Sequence, residues 1–437
     1  MKIAAVATPV NRTGSYILLS AFLFLSLALD SFAATGENRV IAEIELDGNN
    51  KTKSEVILKE LTFKKGYILT DDAVNESRQN LLNTELFSEV SIKEFPWHDG
   101  LSARVVIELT EKYSFLPLPI LTRTSDGEVR LGLRYEEFNL AGRASYLKLR
   151  LYNKWEDEMS TDLGLNSSIV LEGRKIFHEQ LNLYTGYNHE KGLDRTYTGG
   201  IVTSEYKIRS DGYSLGFGWE FTDKMEVGAS FSTTKYKVNH MSGSLRTLNE
   251  NTINSVTLFS TYNVVDLVGN YIYDGYETTL SLSHADERLG SDLNTDTFRF
   301  SFKNFIPLKE NTRNFAYRFE GAYVLGPDAE EQTIDIGGGD SLRGYEKGEF
   351  QGNKLLQLNS EYRFPMTKVY WGGVLFVDAA NAWPKGEKLD LDQLKWSSGF
   401  GLRLFIQKLV KGVFRVDFSY NFTDSKTKAY LGSHHSF

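Results

Sequence analysis

The sequence predicts a mainly β protein: a transmembrane antiparallel β-barrel of about sixteen strands, preceded by one small α+β domain. Three observations lead there. The first is composition, since 28 Phe, 23 Tyr and 6 Trp bring aromatics to 13% of 437 residues while mean hydropathy is only −0.32. A polytopic helical membrane protein is far more apolar, and beyond the extreme N-terminus no run approaches the ~20 apolar residues of a spanning helix. The second is the length of the alternating segments. The third is a change of texture near Tyr113, from a mixed helix and strand pattern to strands alone.

The N-terminus carries Lys2 and Arg12, an apolar stretch from Tyr16 to Leu29 and the small-residue site Ser31-Phe32-Ala33-Ala34. This is the layout of a secretory signal peptide over residues 1–33, against the alternative of an uncleaved anchor. The mature chain is then expected outside the cytoplasm.

Residues 38–112 read as β-α-α-β-β. Val40, Ala42, Ile44 and Leu46 alternate before a Gly48-Asn49 turn. Thr52 and Glu55 have capping-box spacing ahead of Ile57 and Leu61. Thr70, Asp71 and Asp72 supply an N-cap and two acids to a second helix through Leu81 and Leu82. Val90 and Ile92 start a strand, and Leu101 to Leu109 alternate through the last one.

From residue 113 to 437 the strands alternate over longer spans. Tyr213, Leu215, Phe217, Trp219 and Phe221 share one face and Ser214, Gly216, Gly218 and Glu220 the other. Phe414, Val416, Phe418 and Tyr420 likewise oppose Arg415, Asp417 and Asn421. A soluble β-sandwich also alternates, but its strands are commonly five or six residues. Several runs here reach the nine or more residues of a tilted spanning strand. At roughly 20 residues per strand and turn, the segment holds about sixteen strands.

Charge and chemistry exclude several classes. With 49 Lys+Arg against 57 Asp+Glu the net charge is −8, which argues against a whole-chain grip on nucleic acid. Cys is absent, so there are neither disulfides nor thiolate ligands. Gly337-Gly338-Gly339 is followed by no Lys-Ser/Thr pair, so backbone freedom explains it better than a phosphate cradle. His434 and His435 lack further ligands for a metal. No nucleophile, base and orienter set emerges, so neither an enzyme nor a cofactor is expected.

Parity places Gln357, Asn359, Glu361 and Arg363 toward the lumen, and Leu375 and Val377 on the lipid face turn Asp378 inward. Both acids then face the lumen, where a guanidinium offers charge-assisted, bidentate contacts that Lys cannot reproduce. The strand from Lys428 to Phe437 must close against a first strand around Val129 to Asn139, and its Gly-Ser-His-His-Ser interior makes a poorly packed seam.

Several motifs resemble the superfamily of POTRA-domain outer-membrane barrels, the BamA/TamA-like assembly factors of bacterial surface antigen type. "LLNTELFSEVSI", Leu81 to Ile92, matches the second-helix-to-strand passage of a POTRA module, with Glu85 where Gly is usual. "GGGDSLRGYEKGEFQGNKLLQLNSEYRFP", Gly337 to Pro365, resembles the signature inward-folding loop around 337–352 and the strand after it. "YEEFNLAGRASYLKL", Tyr135 to Leu149, is similar to the first-hairpin pattern. By this resemblance Leu342, Arg343, Gly344 and Tyr345 are the loop tip, and Glu361 and Asp378 are the wall acids that hold it. Ala380 stands where Gly is frequent. Phe437 ends the chain in the manner of the barrel C-terminal signal.

The resemblance implies an outer-membrane location, a periplasmic POTRA domain that receives a partner or chaperone, and outer-membrane lipid around the barrel. It implies insertion and folding of unfolded β-barrel clients through a laterally opening wall. The alternatives are a two-partner pore exporting a secreted polypeptide, which usually has two POTRA domains, and a diffusion porin, which needs none.

Overall fold

The computed structural model describes residues 39–97, 102–123, 129–156, 161–175, 178–198, 201–243, 250–269, 271–329, 332–367 and 370–437. The expected signal peptide lies outside the described residues.

The small domain comprises β1 (Val40–Asp47), α1 (Ser54–Lys59), α2 (Asp71–Asn83), β2 (Phe87–Pro96) and β3 (Ser102–Glu111). Its sheet runs β1-β3-β2, with β1 parallel and β2 antiparallel to β3. Ile57 and Leu81 from the helices pack with Ile41, Val90, Val105 and Ile107 from the sheet, all buried. The α2 start follows its sequence, as the Thr70 hydroxyl accepts the Ala73 N–H at 3.2 Å. Glu85, in the turn to β2, takes φ 59°, the left-handed conformation that glycine adopts more cheaply.

Two local expectations fail for physical reasons. The register of β1 shifts between Ile41 and Glu43, so the bulge puts Ile41 in the core and leaves Val40 exposed. The capping box at Thr52 and Glu55 does not form. Helix α1 starts at Ser54 with Lys53 as N-cap and no side-chain cap. The Thr52 hydroxyl is instead used outside the domain, accepting from Asn139 Nδ2 at 2.9 Å.

The barrel begins with β4 (Phe115–Arg123), β5 (Val129–Leu140), β6 (Ser145–Glu156), β7 (Thr161–Gly173) and β8 (Leu181–Thr198). It continues with β9 (Ile201–Thr222), β10 (Met225–Ser242), β11 (Glu250–Asn263), β12 (Asp266–Gly269) and β13 (Ile272–Ala285). Next come β14 (Thr295–Leu308), β15 (Arg313–Leu325), and β16 (Ile334–Ile336) with β17 (Phe350–Gly352), a separate small hairpin. The last wall strands are β18 (Lys354–Pro365), β19 (Trp371–Trp383), β20 (Lys395–Phe405), β21 (Val413–Asn421) and β22 (Thr427–Ser433). Successive wall strands are antiparallel neighbours and β22 lies beside β4, closing the sheet. Because β11 and β12 both pair with β13, the described residues give the wall sixteen strand positions.

Side-chain parity gives the wall two solvents. Outward positions such as Tyr213, Leu215, Phe217 and Phe221 on β9 or Phe400 and Phe418 on β20 and β21 are exposed apolar residues. The last two stack with ring centroids 5.2 Å apart. Inward positions on β18 to β21 are polar and buried, among them Gln357, Asn359, Glu361, Asp378, Ser397 and Asp417. A soluble sandwich would bury the aromatic face and wet the polar one, the reverse of this pattern.

The barrel ends differ from the expected ones. The first strand is β4, not the segment around Val129 to Asn139, which is second. Pro117 and Pro119 break the strand signal of β4, since proline reads as non-strand except at edges and bulges. The last strand stops at Ser433, four residues before the expected end, because His434 takes φ 62°. Ser436 and Phe437 turn inward, where the Arg363 Nη2 donates to a main-chain oxygen of Phe437 at 3.0 Å.

Candidate functional site

Gly337 and Gly338, at φ 123° and 94°, turn the chain off β16 and into the lumen. A Cβ on Gly337 would stand 1.9 Å from the Glu346 carbonyl oxygen, so the turn excludes any side chain. The loop tip is buried: Leu342 and Tyr345 pack with Ile334, Ile336, Leu355, Ala380 and Ala382. Ala380 thus serves as small packing surface where the resemblance has glycine.

Arg343 occupies the centre with no exposed side-chain surface. Its Nε and Nη2 donate to the two oxygens of Asp378 at 2.7 and 2.8 Å, and its Nη1 to Glu361 at 2.8 Å. The guanidinium lies 3.5 Å from the centroid of the Phe376 ring. Strands β18 and β19 position the acids because their parity faces both inward. Asp417, whose inward parity gives no sign of a part in the clamp, lies 3.6 Å from Arg343 Nη1. Asp417 also accepts from Arg403 at 2.5 Å, and Glu361 from Arg363 at 2.8 Å. Each carboxylate is therefore shared between cations, which offsets its removal from water.

The loop reaches farther along the wall than those two acids. Arg318 on β15 donates to the Asp340 carbonyl at 2.9 Å. The Tyr345 hydroxyl donates to the Trp396 carbonyl on β20 at 3.0 Å, and Asn421 on β21 to the Gly344 carbonyl at 2.7 Å. On β22 the Tyr430 hydroxyl accepts the Gly344 N–H at 2.9 Å and donates to the Tyr345 carbonyl at 3.1 Å, while Lys428 pairs with Glu346. One loop thus ties β15 and β18 through β22, the strand at the seam. Inward parity was the only sequence signal for Tyr430 and Asn421.

The seam has a specific deficit. Phe138 donates its N–H to the Ser114 carbonyl at 2.8 Å, continuing the register in which Phe115 faces Glu137. Backbone polar groups alternate sides along an antiparallel strand. Ser114, Leu116, Leu118 and Ile120 therefore direct theirs to β5, and Phe115, Pro117, Pro119 and Leu121 direct theirs to β22. On β22, His434 donates to the Val413 carbonyl at 2.7 Å, so Ala429, Leu431 and Ser433 face β4. Two successive seam-facing positions of β4 thus have no N–H to give. Side chains of β5 reach over β4 to the same region, with Arg134 donating to the Ser433 hydroxyl at 2.7 Å and Glu136 lying 3.6 Å from His434.

The small domain grips one end of the barrel. Lys51 bonds Ser114 and Glu137 at 2.6 and 2.8 Å, Arg143 pairs with Glu55 at 3.0 Å, and Asn83 donates to Asp266 at 2.8 Å. Val410, between β20 and β21, enters the domain's own apolar core. Nearby, burial draws the Lys112 ammonium below its usual range, against the pull of Glu85. Among the described residues no group of His, Asp and Glu is arranged to hold a metal.

Residues 134–431 match the model of the Omp85 superfamily domain, and residues 40–112 match that of the surface antigen variable number repeat, the POTRA module. A similar curated protein is the outer membrane protein assembly factor BamA of Neorickettsia risticii, 26% identical over 193 residues. That match takes in 40% of this chain and 24% of that protein, so the chain spans a minor part of its length. Among solved structures, BamA of Haemophilus ducreyi lacking POTRA domains 1–3 aligns over 92% of this chain and 84% of that one, at TM-score 0.53 and 17% identity. CdiB of Acinetobacter baumannii aligns over 90% and 73%, at TM-score 0.60 and 14% identity. These likenesses concern the fold.

Proposed function

Because this chain belongs to the Omp85 superfamily of outer-membrane barrels with a periplasmic POTRA domain, we propose that it is a non-catalytic assembly factor that helps client β-barrel proteins insert and fold. The observation that carries the reading is the seam, where β4 presents two prolines to β22 while the wall beside it is fastened to an internal loop. Unpaired strand edges are intolerable in hydrocarbon, so an inserting barrel needs a partner edge as it enters. A seam short of donors opens at lower cost than one with every donor present, and the exposed edge templates the client by strand addition. The Arg343 clamp keeps β18 to β21 in place while the seam moves. On the periplasmic side, β2 is an edge strand of the POTRA sheet and offers a second place for an extended client or partner chaperone.

The test is quantitative proteomics of outer membranes depleted of this protein and rescued with wild type or Arg343→Ala. The reading expects many barrels to fall and the variant to rescue poorly. An intact barrel inventory with a missing secreted polypeptide would move the assignment to an export pore.

A further inference from the structure

Beside the clamp, at the periplasmic end of the wall, a cavity of about 460 Å³ opens under the turns that follow β14 and β18. Arg363, Arg403 and His435 line its polar side, and Tyr271, Val374 and Phe405 its apolar side. Among the described residues lining it there is no carboxylate. Arg363 is 4% and Arg403 1% exposed, yet Nη1 of Arg363, Nε and Nη2 of Arg403 and both ring nitrogens of His435 have no hydrogen-bond partner. The carboxylates behind them are committed: Glu361 accepts from Arg343 and Arg363 and stands 3.6 Å from Arg403 Nη2, and Asp417 accepts from Arg403 Nη1 and Arg415. Buried polar groups are ordinarily satisfied, and several unmet cationic donors around one cavity ask for an anion with several acceptor oxygens.

We propose that this cavity binds a phosphate-bearing amphiphile, its phosphate oxygens on Arg363 and Arg403 and its hydrocarbon along Tyr271 and Phe405, whose rings stack 4.8 Å apart. The aromatic side of the cavity has no role for a free inorganic ion, which distinguishes a lipid headgroup from phosphate alone. The site stands on its own geometry and does not depend on the assembly reading.

The test is native mass spectrometry of the full chain purified in a zwitterionic detergent and titrated with dioleoyl phosphatidylglycerol or, separately, inorganic phosphate. Two variants accompany it: Arg403→Gln removes donors, and Val374→Phe fills the cavity while leaving every charge in place. The expected result is one lipid per wild-type chain, undiminished by excess phosphate, with both variants at least about tenfold weaker. Inorganic phosphate binding as tightly and displacing the lipid would assign the site to the free ion and overturn the amphiphile. Binding of neither probe, or equal lipid binding by Val374→Phe, would overturn the site itself.

Discussion

Arg343 works by geometry as much as by charge, because its planar fork meets both oxygens of Asp378 while a third nitrogen reaches Glu361. Removing it leaves three buried carboxylates without their common cation, and loss of one partner of such a set costs roughly 3–5 kcal/mol. Arg343→Ala should therefore lower the unfolding midpoint of the barrel markedly. Arg343→Lys keeps the charge and loses the bidentate contact, so a loss of about 1.5–3 kcal/mol is expected. Gel-shift unfolding of the two variants in detergent checks the order; a lysine variant as stable as wild type would mean that charge alone suffices. At this scale the acids were legible in the sequence, because period-two parity fixes which side chains face inward. Distances were not, and Asp417 and Tyr430 joined the clamp only once the closed wall brought β21 and β22 around the loop.

Strand β4 shows why an element can escape detection for the same reason that it matters. Its prolines suppress the strand signal, and the structure accommodates them because their missing N–H groups point at the seam rather than at β5. Pro117→Ala together with Pro119→Ala restores two donors at about 0.5–1.5 kcal/mol each. Amide hydrogen exchange at Ala429 and Leu431 should slow in the double variant, and client insertion into proteoliposomes should slow with it. Unchanged exchange would show that the prolines do not set the strength of the seam. Helix α1 gives the complementary case, since Thr52 looked like a local cap in the sequence and is instead spent on Asn139, a partner 87 residues away.

At the scale of the whole molecule, the POTRA domain and the barrel share polar contacts at several places on the periplasmic rim and an apolar one through Val410. Asn139→Ala removes the bond to Thr52 and should cost about 1 kcal/mol of junction stability. Exchange measured across Lys51 to Ser54 should rise while the POTRA core is unchanged; a rise throughout the domain would mean that it depends on the barrel to fold. The two-part architecture itself was readable from composition and alternation. Where the barrel begins and ends was not, because a closing contact joins residues some 300 positions apart and leaves no local pattern.

In the proposed mechanism the β4–β22 seam opens to admit a client strand. The chain has no cysteine, so one introduced in β4 and one facing it in β22 form a unique pair. The most direct measurement compares client insertion into proteoliposomes with that pair oxidised and with it reduced. Oxidation should abolish insertion and reduction restore it; equal insertion in both states would mean that the seam does not open for the client.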